Sequence, residues 1–200
     1  MPRGPGEAEI VEKRSRFIGA LAPLDSDEAA KAFLQERRAL HKTASHHVYA
    51  WLLRDGGARY SDDGEPQGTG GPPVLEVLRR EGVRNVCCVV TRYFGGTLLG
   101  AAGLTRAYAA AAKAALEAAG IAEMRPWTAA TLVCGYALWR RMQLELAACG
   151  GVEEGVAFAA EVTADVALPT PRLSEFQARA AELSAGQAIF RPGLESFRAL

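Results

Sequence analysis

The chain has 200 residues, of which 49% are apolar, and its 23 basic side chains are balanced by 23 acidic ones. That length holds one large domain or two small ones, each with its own core and no need of disulfide or metal staples. Zero net charge excludes the polybasic composition of a dedicated nucleic-acid binder and leaves only a local patch for such contacts.

No window approaches the roughly 18 uninterrupted apolar residues of a membrane span, and the first residues, MPRGPGEAEIVEKRSR, lack the apolar core of a signal peptide. The reading is a soluble cytoplasmic protein with no membrane partner. Of the four cysteines, Cys87 and Cys88 are adjacent in an apolar run, and Cys134 and Cys149 are isolated. There is no CxxC or CxxH, so neither a zinc site nor a disulfide framework is expected, and the cysteines read as small buried hydrophobes.

In chain order, a loose N-terminus punctuated by proline and glycine leads into a first strand over residues 13–21 (KRSRFIGAL). A helix follows, with Asp25 as its cap, Glu28 in capping-box position, and apolar residues Ala29, Phe33, Leu34 and Leu40 at helical spacing. Residues 46–53 (HHVYAWLL) are strand-like, and the DGG after Arg54 predicts a hairpin turn into Arg59 and Tyr60. The segment YSDDGEPQGTGGPP is too rich in glycine and proline for helix or sheet, and a short helix is predicted over 72–80. Residues 83–94 form the clearest strand, whose VCCVV core is apolar without alternation, as in a strand covered on both faces. A glycine-rich loop then ends at Gly103 and feeds an alanine-rich helix that stops at Gly120.

Beyond Pro126 the elements are strand 128–136, helix 138–148, strands 152–158 and 161–168, helix 172–185 and strand 187–191. That order is the ferredoxin-like βαββαβ arrangement. The reading is therefore α+β with two domains, 1–125 and 126–200.

Two loops carry the chemistry. In the second, Gly95, Gly96, Gly100 and Gly103 permit positive φ and close backbone approach, and the helix start beyond them presents free N–H groups to an anion. Arg92 precedes this loop and Arg106 falls in the first turn of the predicted helix. Gly95 and Gly100 have the spacing of the P-loop glycines, but Ala101 and Ala102 stand where Lys and Ser/Thr belong, so a P-loop NTPase is not expected. The same glycines also suit tight packing of helix on sheet. Tyr93 and Phe94 are candidates for stacking on bases or for anchoring the loop.

In the first loop, Asp62, Asp63 and Glu65 are expected to pair with arginines and cap backbone N–H groups rather than to bind a metal, because the spaced ligands of an EF-hand are missing. His46 and His47 are neighbours on a strand and face opposite sides. No GxSxG or HExxH occurs.

As an ordered set, SRFIG, ASHHVYAW, SDDGEPQGTGGPP, VVTRYFGG and LGAAGLTRAY resemble the signature of the bacterial YigZ proteins of the IMPACT family. The resemblance implies a first domain folded like the second domain of a small-subunit ribosomal protein, and a second domain like the last domain of elongation factor G. It implies a link to translation through RNA, the ribosome or a translation factor, with no cofactor. Eukaryotic relatives are linked to translational control under amino-acid starvation. Pro72, Gly70, Leu98 and Ala102 depart from the family pattern, at the cost of two positive charges. The acidic loop is expected to pack beside RYFGG as a scaffold, with Arg92, Tyr93, Phe94, the four glycines and Arg106 forming an anion or nucleic-acid cleft and His46, His47, Asp62, Asp63 and Glu65 supporting it. Two other readings stay open: a hydrolase acting on a phosphorylated or peptide-like small molecule, and an interaction module without ligand.

Overall fold

A computed structural model describes residues 1–199, and the chain divides into two compact units, Met1–Ala122 and Glu123–Leu200. The division lies a few residues before the expected one, because a strand already begins at Met124 and so contains Arg125 and Pro126.

The first unit is a five-stranded antiparallel sheet covered by helices on both faces. Its elements are β1 (Gly6–Glu12), β2 (Ser15–Pro23), α1 (Asp27–Leu40), β3 (His46–Leu52), β4 (Ala58–Ser61), α2 (Gly71–Arg80), β5 (Val86–Tyr93) and α3 (Ala101–Ala119), with strand order β1-β2-β5-β3-β4. The central β5 is buried on both sides: Cys87 and Val89 pack under α1 with Ala30, Leu34 and Trp51, whereas Val86, Cys88 and Val90 join Phe17, Val48, Leu78 and α3 on the other face. This explains a strand without polar alternation. Both thiols are inert hydrophobes, and burial pushes Cys88 up to about 12.

The alanine content of α3 has a packing reason. Ala111 and Ala115 bring the helix backbone against the sheet so closely that a Cβ on Gly19 would fall 2.4 Å from the Ala111 carbonyl oxygen, and one on Gly6 would fall 2.4 Å from that of Ala115.

Three local expectations are corrected. The N-terminal residues are not loose: β1 alternates Gly6, Ala8 and Ile10 with Glu7, Val11 and Glu9, and the first set sits on the sheet face that α3 covers. The cap of α1 is Ser26, whose Oγ accepts from Ala29 N–H at 3.3 Å, and Asp27 and Glu28 occupy the first turn, where the helix dipole favours them. Helix α3 begins at Ala101, so Gly103 is helical and Arg106 lies in the second turn.

The second unit comprises β6 (Met124–Cys134), α4 (Tyr136–Ala148), β7 (Val152–Phe158), β8 (Val162–Pro169), α5 (Leu173–Leu183) and β9 (Ile189–Ala199). Its all-antiparallel sheet has the order β7-β8-β6-β9, the ferredoxin-like topology, and packs Leu132, Met142, Leu146, Leu168 and Phe176 under its helices. Strand β9 runs on to Ala199, well past the expected Arg191. Among the described residues, no helix is long and apolar enough to cross a membrane.

Candidate functional site

Side chains alternate along β5, so Arg92 at its end points to the α2/α3 face and Tyr93 to the α1 face. Register places Arg92 between Phe17 of β2 and His46 of β3. The 61–70 loop folds over this end of the sheet, and its three carboxylates do three separate jobs.

Asp62 caps α2. Its carboxylate accepts from the N–H groups of Gly68, Gly70 and Gly71 at 2.8, 2.9 and 2.9 Å, filling the anion position at that helix start from within the chain. Asp63 clamps the loop to its neighbours. Its carboxylate accepts from Arg38 at 2.8 Å and from His47 N–H at 2.6 Å, while its carbonyl accepts from His46 Nδ1 at 2.8 Å.

Glu65 goes inside. Its Oε1 accepts from Arg92 Nη1 at 2.6 Å and from the Tyr108 hydroxyl at 2.7 Å, with side-chain exposures of 6% for Arg92 and 3% for Glu65. His46 Nε2 stands 3.8 Å from the same oxygen. Arg92 also donates to Ser15 Oγ at 3.3 Å, and its guanidinium lies 5.4 Å from the Phe17 ring centre and 5.5 Å from that of Phe94. Burial, reinforced by the Glu65 hydrogen bond, raises the Tyr108 phenol far above its ordinary range and keeps it a donor. Hydrogen bonds offset the desolvation of a buried pair: Glu65 Oε1 and both Arg92 Nη groups have partners here, while Arg92 Nε is buried without one among the described residues.

The glycine-rich loop rests on this floor. Gly95 N–H donates to Ser15 Oγ at 3.1 Å, and a Cβ on Gly95 would fall 2.0 Å from the Arg14 carbonyl carbon, so only glycine fits. Phe94 N–H donates to Ser45 Oγ, leaving the Phe94 ring 48% exposed and Leu98 83% exposed. Gly96 and Gly100 both have positive φ, and no side chain caps α3.

The expected residues therefore split. Asp62, Asp63, Glu65, His46, Arg92, Phe94 and Gly95 form one connected structure at the end of the sheet. Arg106 is exposed and makes no ion pair with the described residues: it lies in the second turn of α3, off the buried face formed by Leu104, Ala107, Tyr108 and Ala111. Tyr93 and His47 belong to the opposite face. There Arg37 donates to His41 Nε2 at 3.2 Å, which leaves the proton on Nδ1 to be donated to the Tyr93 oxygen at 3.0 Å. Burial lowers the pKa of both His41 and His47. Ser15, Tyr108 and Arg38 were not singled out from the sequence. Ser15 and Tyr108 stand inside the SRFIG and LGAAGLTRAY blocks, but only strand register brings Ser15, and the seating of α3 brings Tyr108, to the Arg92–Glu65 pair. Each candidate carboxylate is engaged internally, and among the described residues no group of three or more His, Cys, Asp or Glu is arranged to hold a metal ion.

A doubly covered antiparallel sheet ending in a buried Glu–Arg–Tyr network, followed by a ferredoxin-like unit, defines a class of two-domain α+β proteins. Residues 13–116 match the Impact N-terminal domain, and residues 132–187 match a domain of unknown function, DUF1949. The IMPACT family member YigZ of Escherichia coli K12 is 41% identical over 190 residues, covering 93% of each chain. YvyE of Bacillus subtilis is 42% identical over 122 residues, 60% of this chain and 56% of the relative. Protein IMPACT of Oryctolagus cuniculus is 34% identical over 102 residues, 46% of this chain and 30% of the relative. A crystal structure described as that of a hypothetical protein superposes with a TM-score of 0.63 at 38% identity, covering 96% of this chain and 95% of the other. The chain belongs to the IMPACT family.

Proposed function

We propose that this chain is a cytoplasmic binding protein of translation, and that the end of the five-stranded sheet, where the 94–100 loop leads into α3, contacts RNA, alone or within the ribosome or a translation-factor complex. The observation that carries the reading is the surface at the start of α3. A nineteen-residue helix begins there without a side-chain cap, at the end of the loop that starts with the half-exposed Phe94, and within two turns it carries Arg106, which pairs with no described residue. Uncapped N–H groups and a free guanidinium attract phosphate, and an exposed aromatic ring offers a base a stacking platform. At α2 the equivalent groups are already satisfied by Asp62, so the two helix starts differ in what they offer a ligand.

In this reading Arg92 is a positioning residue. Its charge is answered by Glu65 and its side chain is buried, so it holds the loop instead of touching phosphate. The test is a titration of purified protein with a short fluorescein-labelled oligouridylate at low and near-physiological salt, beside the Arg106→Ala variant. Saturable, salt-dependent binding is expected, with a slope of log K against log salt about 0.7 shallower in the variant for one lost phosphate contact. Absence of saturable binding to the wild type would overturn the reading.

A further inference from the structure

We infer that the turn between β1 and β2, formed by Lys13 and Arg14, is the phosphate-gripping element of this surface and that its ligand is single-stranded RNA. The inference rests on the RNA reading above and assigns the contact to residues outside the glycine-rich loop.

The register closes the hairpin tightly: Glu12 pairs with Ser15, leaving two residues in the loop. Lys13 has φ of 45° and Arg14 has φ of 69°, as a type I′ turn demands of both central residues. That turn is made most easily by Asn-Gly. Long cationic side chains at two consecutive left-handed positions are strained, and they are the one such adjacent pair of non-glycine residues among those described. Strain of this kind persists where surrounding structure over-determines it, and it clusters at ligand-binding positions.

The surroundings do over-determine this turn. Gly95 lies directly on it, with a Cβ position 2.0 Å from the Arg14 carbonyl carbon and 2.4 Å from Ser15 N. Ser15 Oγ, the first side chain after the turn, accepts from both Gly95 N–H and Arg92. One hydroxyl therefore ties the turn, the 94–100 loop and the buried Arg92–Glu65 pair together, and the backbone that carries the two cations is packed on Gly95, the residue after Phe94.

Neither cation is answered by any other described residue. Lys13 and Arg14 are exposed and make no ion pair, whereas Arg16, two residues on, is held by Glu9 at 2.8 Å. Glu12 is the one acid in the run EKRSR. Two exposed cations on a turn that packs against Gly95, the residue after the half-exposed Phe94, match a single strand, which offers phosphates along its backbone and unstacked bases for the ring.

The experiment replaces the turn by the sequence it prefers, Lys13→Asn with Arg14→Gly, in the full chain. Expected is a urea midpoint equal to or above that of the wild type, together with an affinity for labelled oligouridylate lower by about tenfold or more. The slope of log K against log salt should be shallower by roughly 1.4, two single-strand contacts. Wild-type affinity and slope in the variant would overturn the inference, and if Phe94→Ala still weakens binding, the RNA reading stands without it. A midpoint that falls along with affinity also overturns it, because the turn is then structural. A wild type that binds no RNA fails both readings.

Discussion

Replacing Glu65 by methionine tests whether the buried pair is the floor of the site. The substitution keeps the volume but removes the carboxylate that answers Arg92 at 2.6 Å and Tyr108 at 2.7 Å, leaving an uncompensated guanidinium whose side chain is 6% exposed. Breaking a buried pair from one side costs about 3–5 kcal/mol, and the orphaned phenol adds to it. The triple variant Glu65→Met, Arg92→Met, Tyr108→Phe removes every orphan at once and should recover most of that loss. Trp51, buried in the first unit at 2% exposure, reports on that unit alone once Trp127 and Trp139 are changed to Phe. With a urea slope of about 2 kcal/mol per molar, the single variant should lower the midpoint by roughly 1.5–2.5 M, and the triple variant by much less. A single variant within about 0.5 kcal/mol of the parent would refute the reasoning, because Arg92 would then have other compensation.

Three further outcomes are expected. Gly19→Ala puts a methyl group 2.4 Å from the Ala111 carbonyl oxygen and should destabilise the first unit by about 1–3 kcal/mol in the same urea assay. Gly96→Ala meets only open space at φ of 80° and should cost about 1–2 kcal/mol from backbone strain alone. His41 and His47 are both held below the ordinary histidine value in the folded chain, first by burial and then by Arg37 at His41 and by Arg38 and His41 at His47; Glu7 and Asp63 oppose the shift. The unfolded chain therefore binds these protons first, so stability falls as pH drops below about 6.5. Unfolding midpoints measured from neutral to mildly acid pH should show this fall in the wild type and a flatter course in His41→Gln with His47→Gln.

The strongest sequence signals were local ones. VCCVV announced a strand covered on both faces because no polar residue interrupts it, and β5 does lie between α1 and the α2/α3 layer. The βαββαβ order of the second unit was readable because its elements are periodic and several are separated by glycines, Gly135, Gly150, Gly151 and Gly186, and the sheet order β7-β8-β6-β9 follows that pattern. Glycine misled where its reason was tertiary. Gly6 marked a loose end in the sequence, yet in the fold it allows β1 to lie against the Ala115 carbonyl. Gly103 marked loop, yet α3 starts before it, and Arg106 stands in the second turn on the exposed side of the helix.

The sequence alone determined which residue types collect in the acidic and glycine-rich loops, because chain propensities and spacing act within a few residues. The partners were decided by the tertiary structure. Glu65 meets Arg92 and Tyr108 across separations of 27 and 43 residues, and Arg92 meets Ser15 across 77. Only strand register and the seating of α3 set such meetings, since a shift of one residue along β5 would turn Arg92 to the α1 face and put Tyr93 in its place.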